Sequence, residues 1–309
     1  RDLHTAYRRQ RQMCIRDSLR SAGPLKEVLK PVFKSVEDLI GLGREVKDAG
    51  FKALKCNMYR FGKNSYVHSP GFANRANVPG APELNADRSL LKDLEKQMSA
   101  LRQGAGEDFD ILLDMNFNFK TEGYLRVIRA LREFDLFWYE LDVFNPEALA
   151  YIRQQSNETI ASCESLYGHR DFRRYFEAKS MDVAIIDIPW NGAWQSYKIA
   201  AMADAHEVNV APHNFYGHLC TMMSAHFCAA IPNFRIMEID IDDVAWKDDL
   251  VTHPPEIENG ELVIPDRPGW GTEPNEEVIA ELTDTGHIAM MNSDEIEATV
   301  RMRFEDMCI

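Results

Sequence analysis

The sequence predicts an α/β fold of the (β/α)8 type, a TIM barrel in which parallel strands alternate with helices. From residue 51 onward, short apolar runs that suit strands buried on both faces alternate with amphipathic stretches that suit helices. Polar residues end six successive runs at intervals of 23 to 26 residues, about one βα unit: Asp114, Glu140, Glu164, Asp187, His213 and Glu238. This spacing places the six side chains at the carboxyl ends of neighbouring strands, where barrels collect their functional groups.

The other common α/β architecture is a doubly wound sheet, which binds its ligand at one switch point, usually beside a glycine-rich turn. No GxGxxG motif follows any of the predicted strands, and this favours the barrel. Asn145 followed by Pro146 is typical of a helix start, an N-cap with proline at the first helical position. The sequence shows seven strands, at 51–57, 110–116, 135–140, 158–163, 182–187, 207–213 and 234–240.

A barrel of this type needs an eighth strand, ahead of the seven that the sequence shows. Residues 19–38 carry prolines and a helical apolar pattern but no strand-like run. We therefore expect that the first strand is either atypical or missing.

The chain divides into three predicted segments. Residues 1–18 contain five Arg and two Asp without an apolar period; they resemble a translated linker and are interpreted as non-native, with a mobile basic arm as the alternative. Residues 19–275 form the predicted catalytic barrel, and residues 276–309 a C-terminal helical tail. Residues 61–87 are rich in Gly, Pro and Asn and predict a long loop at the functional end of the barrel.

Composition limits the classes of partner and compartment. The 309-residue chain has a net charge of −14 at pH 7, which argues against nucleic acid and anionic membranes, because both are bound through a basic face. No apolar run approaches the ~20 residues of a membrane span, and no leader is evident, so we expect a cytoplasmic protein. The six cysteines include no CxxC pair, which indicates neither a disulfide framework nor a zinc site.

Three of the strand-end residues are carboxylates on consecutive strands: Asp114, Glu140 and Glu164. If they converge, they repel one another unless a cation lies among them. Oxygen ligands without cysteine or histidine favour Mg²⁺ over Zn²⁺. The alternative is that each acid caps the following helix, which explains one such residue more easily than three in register.

Lys55, Asp187 and His213 are candidate acid–base groups. Lys55 ends the apolar run FKALKCN, where a lysine either reaches solvent along the strand or serves the same site as the carboxylates. His213 and Asp187 end neighbouring strands, so the carboxylate can fix the imidazole tautomer and raise its basicity. A lone histidine is more often structural, but the place of His213 in the series favours a functional role.

Spaced motifs occur in order along residues 36–275: GFKALKCN, DMN, WYEL, SCES, DIPWNG, APHNFYGH, IMEID and GELVIPDRPGWG. Together they resemble the mandelate racemase/muconate lactonizing enzyme branch of the enolase superfamily. The resemblance implies that Asp114, Glu140 and Glu164 are Mg²⁺ ligands. It implies that Asp187 and His213 form a base dyad and that Glu238 is an acidic substrate-binding residue.

Two positions depart from the family pattern. Lys55 matches the first lysine of the family's Lys-x-Lys pair, but Asn57 stands at the second, as in galactonate dehydratase-like members. Those members carry a histidine two residues after the first metal ligand, where this chain has Asn116. We interpret Asn57 and Asn116 as substrate-binding residues.

The resemblance implies a Mg²⁺-dependent dehydratase, a carbon–oxygen hydro-lyase of a sugar acid (an aldonate or aldarate). It would abstract the α-proton through an enediolate to give a 2-keto-3-deoxy acid. The alternatives are a racemase or epimerase of a hydroxy acid at the same site, or a catalytically silent barrel. The family normally adds an N-terminal α+β capping domain, so we expect an N-terminally truncated chain. We expect a small anionic sugar acid as partner and a homo-oligomer in the full-length form.

Overall fold

A computed structural model describes residues 9–15, 35–62, 65–70, 86–240 and 246–284. All seven predicted strands are present within these residues. In chain order the strands are β1 (Arg9–Ile15), β2 (Ala53–Asn57), β3 (Tyr59–Arg60), β4 (Tyr66–Val67), β5 (Asp110–Asp114), β6 (Trp138–Glu140), β7 (Ile160–Ser162), β8 (Val183–Asp187), β9 (Asn209–His213), β10 (Met237–Asp240), β11 (Ile257–Glu258) and β12 (Glu261–Val263).

The parallel strands curl into a ring. Neighbours along the ring are β1, β2, β5, β6, β7, β8 and β9, and β10 pairs with the other side of β1. A parallel bridge between Val210 and Phe234 links β9 to the segment that leads into β10. The described residues thus contain eight parallel strands in a (β/α)8-type arrangement, and the predicted fold class is confirmed.

The helices pack around the outside of the ring, and one of them begins at the start signal that the sequence analysis identified. Asn145 accepts a hydrogen bond from the backbone N–H of Ala148 at 2.6 Å, with Pro146 as the first helical residue, as predicted. In chain order the helices are α1 (Val36–Asp48), α2 (Arg88–Ala105), α3 (Thr121–Leu131), α4 (Pro146–Ser156), α5 (Gly168–Glu177), α6 (Ile188–Ala205), α7 (His218–Ala230) and α8 (Glu276–Asp284).

Strand β1 takes the place of the first barrel strand. It pairs in parallel with β10 on one side and β2 on the other, with Met13 opposite both Glu238 and Ala53. Of the two expectations, this matches the atypical strand, and it lies within residues 1–18, the segment that the sequence analysis interpreted as non-native. The run RQRQMCI has no hydrophobic period from which a strand could be predicted. Its assignment follows from the two strands beside it.

Two clusters of buried apolar side chains form the core. The larger joins the outward faces of the strands to the helices. The smaller fills the interior of the ring and takes residues from β2, β5, β6, β7, β8, β9 and the approach to β10: Ala53, Leu112, Trp138, Ala161, Val183, Ile185, Ala211 and Ile236. This interior layer closes the barrel beneath its carboxyl end, so polar residues that follow it have a packed floor.

The remaining predicted segments are partly covered by the described residues. The predicted loop 61–87 includes a short hairpin of β3 with β4, and its residues 63–64 and 71–85 lie outside the described part. The predicted tail begins with α8, and residues 285–309 also lie outside it. Within the described residues, no helix is both long enough and apolar enough to cross a membrane.

Candidate active site

The carboxyl end of the barrel gathers the predicted residues because side chains alternate along a strand. Each functional residue on a strand follows a residue of the interior layer by two positions, as Lys55 follows Ala53. Strand register sets Asp114 beside Glu140 and Asp187 beside His213. Glu164 lies just beyond β7, after Cys163, which adopts a positive φ of 92° and turns the chain.

Asp114, Glu140 and Glu164 converge as predicted. Each offers one carboxylate oxygen, and these oxygens all lie within 4.8 Å of one another. Burial and the neighbouring carboxylates raise the pKa of Glu140 and of Glu164 well above the usual value, because like charges repel strongly away from water. A hard cation such as Mg²⁺ binds carboxylate oxygens and would relieve that repulsion, so the three residues fit a Mg²⁺ ion.

Lys55 lies among the carboxylates. Its Nζ is 3.1 Å from Glu140 Oε1, 3.2 Å from Asp114 Oδ2 and 2.5 Å from Glu238 Oε1. Burial lowers the pKa of Lys55, but the surrounding carboxylates outweigh it and raise the pKa well above the usual value. Lys55 is therefore a buried cation in this arrangement.

His213 and Asp187 form the predicted pair. Nδ1 of His213 lies 2.8 Å from Asp187 Oδ2, and Nε2 lies 3.6 Å from Glu164 Oε2. Burial lowers the pKa of His213, whereas Glu164 and Asp187 raise it, and the result is a pKa of about 9. Asp187 is itself held by the backbone N–H of Trp190 at 2.7 Å and by the hydroxyl of Tyr216. The pair therefore presents Nε2 toward the carboxylates from a fixed orientation.

This combination of barrel and strand-end residues has a counterpart among known families. Residues 39–278 match the family described as "Enolase C-terminal domain-like". The chain belongs to this family. The resemblance to the mandelate racemase/muconate lactonizing enzyme branch of the enolase superfamily is thereby confirmed, and solved structures named for that branch share the fold.

Several enolase-superfamily relatives carry dehydratase names. D-xylonate dehydratase from Haloferax volcanii is 30% identical over 236 residues, which are 74% of this chain and 53% of that protein. Arabinonate dehydratase from Saccharolobus solfataricus is 26% identical over 257 residues, 80% of this chain and 65% of that protein. The chain thus spans between about half and two thirds of the length of these curated relatives.

One solved enolase-superfamily structure carries a different name. It comes from Burkholderia xenovorans strain LB400, is provisionally named L-alanine-DL-glutamate epimerase, and is bound to magnesium and fumarate. The sequences are 49% identical and the TM-score is 0.82, with 89% of this chain and 67% of that chain covered.

Glu238 is held from two sides in this enolase-superfamily site. One carboxylate oxygen faces Lys55, and the other accepts the backbone N–H of Asn214 at 2.6 Å. The side-chain amide of Asn214 also donates to the carbonyl of Glu238 at 2.9 Å. The sequence analysis did not single out Asn214; its place directly after His213, within the motif APHNFYGH, was the available signal.

Asn116 and Asn57 lie beside the first metal-ligand candidate. The backbone N–H and the side-chain amide of Asn116 both donate to Asp114 Oδ1, at 2.9 and 2.8 Å. This closed turn requires a positive φ of 42° at Asn116, a conformation that asparagine tolerates well. Asn57 is buried and stands opposite Asp114 in the strand register. Their role in substrate binding stays a prediction, while the geometry gives Asn116 a clear part in orienting Asp114.

Two residues that the sequence analysis missed support the carboxylates. Trp138 lies two positions before Glu140 on the same inward face of β6, and its indole N–H donates to Glu140 Oε2 at 3.1 Å. Asp142 accepts the backbone N–H of Cys163 at 3.1 Å and so holds the turn that presents Glu164. Burial and the neighbouring Asp114 raise the pKa of Asp142 to about 7. In the sequence, the signal for Asp142 was its position two residues after the metal-ligand candidate Glu140.

Proposed function

We propose that the protein is a Mg²⁺-dependent hydro-lyase that dehydrates a sugar acid to a 2-keto-3-deoxy acid. The observation that carries this proposal is one largely buried carboxylate triad reached by two proton-carrying groups from different strands, Lys55 and His213. The dehydratase names of several relatives support the same chemistry. A small anionic sugar acid is the proposed partner, and the proposed setting is a cytoplasmic homo-oligomer.

Asp114, Glu140 and Glu164 would hold the Mg²⁺ ion. When bound, the ion supplies positive charge that stabilises the negative charge developing on the substrate carboxylate as the α-carbon loses its proton. Asn116 and Trp138 keep two of the ligand carboxylates oriented through the hydrogen bonds described above. Preorganised ligands reduce the rearrangement that binding requires.

His213 would handle the proton. In the deprotonated form of His213, Nδ1–H donates to Asp187 and the lone pair of Nε2 faces the triad, where it can accept a proton from the substrate. In elimination, the electron pair left by the α-proton forms the carbon–carbon double bond, and the β-hydroxyl departs with a proton as water. The resulting enol then loses its hydroxyl proton and gains a proton at the β-carbon, which gives the 2-keto-3-deoxy acid. His213 serves as the base for the first event or the acid for the second, while the ammonium of Lys55 supports charge on the substrate.

A second candidate is a racemase or epimerase at the same site. The structural relative that is 49% identical carries an epimerase name, and two proton-carrying groups suit exchange at a single carbon. Epimerisation returns a proton to the α-carbon, whereas dehydration expels a hydroxyl from the neighbouring carbon. Product analysis therefore separates the two reactions.

The test incubates the protein with Mg²⁺ and C5 and C6 aldonates and aldarates in D₂O. We expect a 2-keto-3-deoxy acid, detected by a keto-acid assay and by NMR. His213→Asn should abolish its formation, and His206→Asn, at an exposed histidine after α6, is the matched control that should retain it. If every substrate that is turned over yields only α-deuterated epimer, the dehydratase proposal fails and the epimerase takes its place.

A further inference from the structure

Two large aromatic rings stand half-exposed at the catalytic end of the barrel. Tyr167, in the loop after β7, is 54% exposed, and Trp190, in the first turn of α6, is 43% exposed. Their rings stack with centroids 5.6 Å apart and planes only 5° from parallel. Exposed apolar surface concentrated beside a polar site commonly marks a place where a ligand binds.

Hydrogen bonds hold this aromatic pair in place. The side chain of Asn191 accepts the backbone N–H of Gly168 at 2.7 Å and donates to the carbonyl of Leu166 at 3.3 Å. These bonds tie the residues on either side of Tyr167 to the residue that follows Trp190. The loop after β7 and the start of α6 are therefore joined, and the two rings form a fixed wall.

The wall is also joined to the proposed base. Asp187 uses one carboxylate oxygen to accept the N–H of Trp190 and the other to contact His213. The indole of Trp190 meets the imidazole of His213 edge to face, with centroids 6.0 Å apart. Tyr167 stacks on Trp190, so the order of rings along this side of the site is His213, Trp190, Tyr167.

We propose that Trp190 and Tyr167 form one wall of a subsite for the part of the substrate chain that lies beyond the reacting carbons. A substrate whose α-carbon lies at His213 Nε2 extends along Trp190 first and Tyr167 second. Aromatic faces pack against the C–H groups of a polyhydroxylated chain, as they do against other apolar surface. This inference rests on the proposed dehydratase function and refines it, because it selects aldonates of five or six carbons over those of four.

The first test measures kcat and KM for threonate, xylonate and gluconate, with four, five and six carbons. Trp190→Leu should raise KM about two- to tenfold for xylonate and gluconate and change KM for threonate less. Tyr167→Leu should affect gluconate most. Tyr151→Leu, at a ring that is 51% exposed on α4 away from the site, is the matched control and should change none of them.

The second test needs no turnover. Titration of gluconate into the Mg²⁺-loaded protein should change the tryptophan fluorescence, and Trp190→Phe should lose most of that change. Trp194→Phe, at a more exposed indole on the same helix that packs with Lys198, should retain it. Circular dichroism establishes whether each variant is folded. If Trp190→Leu does not fold, Trp190→Phe replaces it in the kinetic test, because it keeps an aromatic ring at this position.

The two proposals fail in different ways. If the parent protein dehydrates gluconate but KM rises equally for all three chain lengths, or not at all, in both wall variants, the subsite is refuted while the dehydratase stands. A fluorescence response that survives in Trp190→Phe also refutes it. If the parent turns over no aldonate, the proposed function fails first.

Discussion

Replacing Glu140 by Gln should abolish the stabilisation of the protein by Mg²⁺. Glu140 is one of three converging carboxylates, and its two oxygens face Lys55 Nζ and the indole N–H of Trp138, each at 3.1 Å. Glutamine keeps the shape of the side chain and one acceptor oxygen. The substitution therefore removes the charge of the ligand with little change in packing.

The charge balance of the site is the reason to expect that Mg²⁺ binds, and mass action sets the size of the stabilisation. Within the part of the chain that the structure describes, Lys55 is the one lysine ammonium that faces the four carboxylates around it, Asp114, Glu140, Glu164 and Glu238. A cation that binds only the folded protein stabilises it by about 2.7 kcal/mol at a concentration one hundred times its Kd. For a chain of this size that is a rise in the thermal midpoint on the order of 5 °C. Without Mg²⁺ the variant should stay folded but lose some stability: Lys55 keeps its ion pairs with Asp114 and Glu238, while the glutamine NH₂ group must face one of two donors, Lys55 Nζ or the Trp138 indole N–H.

The assay is thermal unfolding followed by circular dichroism at pH 8, with EDTA and then with millimolar Mg²⁺. Glu147→Gln, an exposed acid on α4, is the matched control and should keep the full rise in midpoint. A parent protein whose midpoint does not respond to Mg²⁺, or a Glu140→Gln variant that responds like the parent, would refute the metal site.

Two further predictions concern stability. Gly104→Ala should lower the free energy of unfolding, measured by urea titration, by about 1–3 kcal/mol. The reason is that an added Cβ would overlap the backbone carbonyl of Ile40 where α2 crosses α1. Gly41→Ala is the control and should leave the free energy of unfolding unchanged, because the space around its Cβ is open. Burial lowers the pKa of His68 to about 4, below its unfolded value, so stability should be lost as pH falls from about 6.5 toward 4. His68→Gln should flatten that pH dependence, and an NMR midpoint near 6.5 for His68 would contradict the burial argument.

The barrel and most of the candidate site follow from the sequence. A strand that is buried on both faces reads as an apolar run, and each βα unit repeats after a near-constant number of residues. Because the residue at the end of one run lies beside the residue at the end of the next, the spacing predicted that Asp114 would meet Glu140 and that Asp187 would meet His213. Both adjacencies are present in the strand register.

The first strand could not be found in the same way. Residues 19–38 have no strand-like run, and β1 lies at Arg9–Ile15, in a polar segment without a hydrophobic period. Its pairing depends on β10, more than two hundred residues later in the chain, and on β2. The strands on either side, rather than the local pattern, define this position.

The hydrogen-bond partners within the site were decided by the tertiary structure. The motif predicts Asn116 as a substrate ligand, and that role stays a prediction; the fold adds that the backbone of Asn116 turns at positive φ so that its backbone N–H and side-chain amide both donate to Asp114. The carboxylate of Glu238 is shared between Lys55 and Asn214, which lie on different segments. Periodicity and strand-end spacing are properties of the chain itself and can be read from it. The partner of a side chain depends on which strands become neighbours in the closed ring, and only the folded structure contains that information.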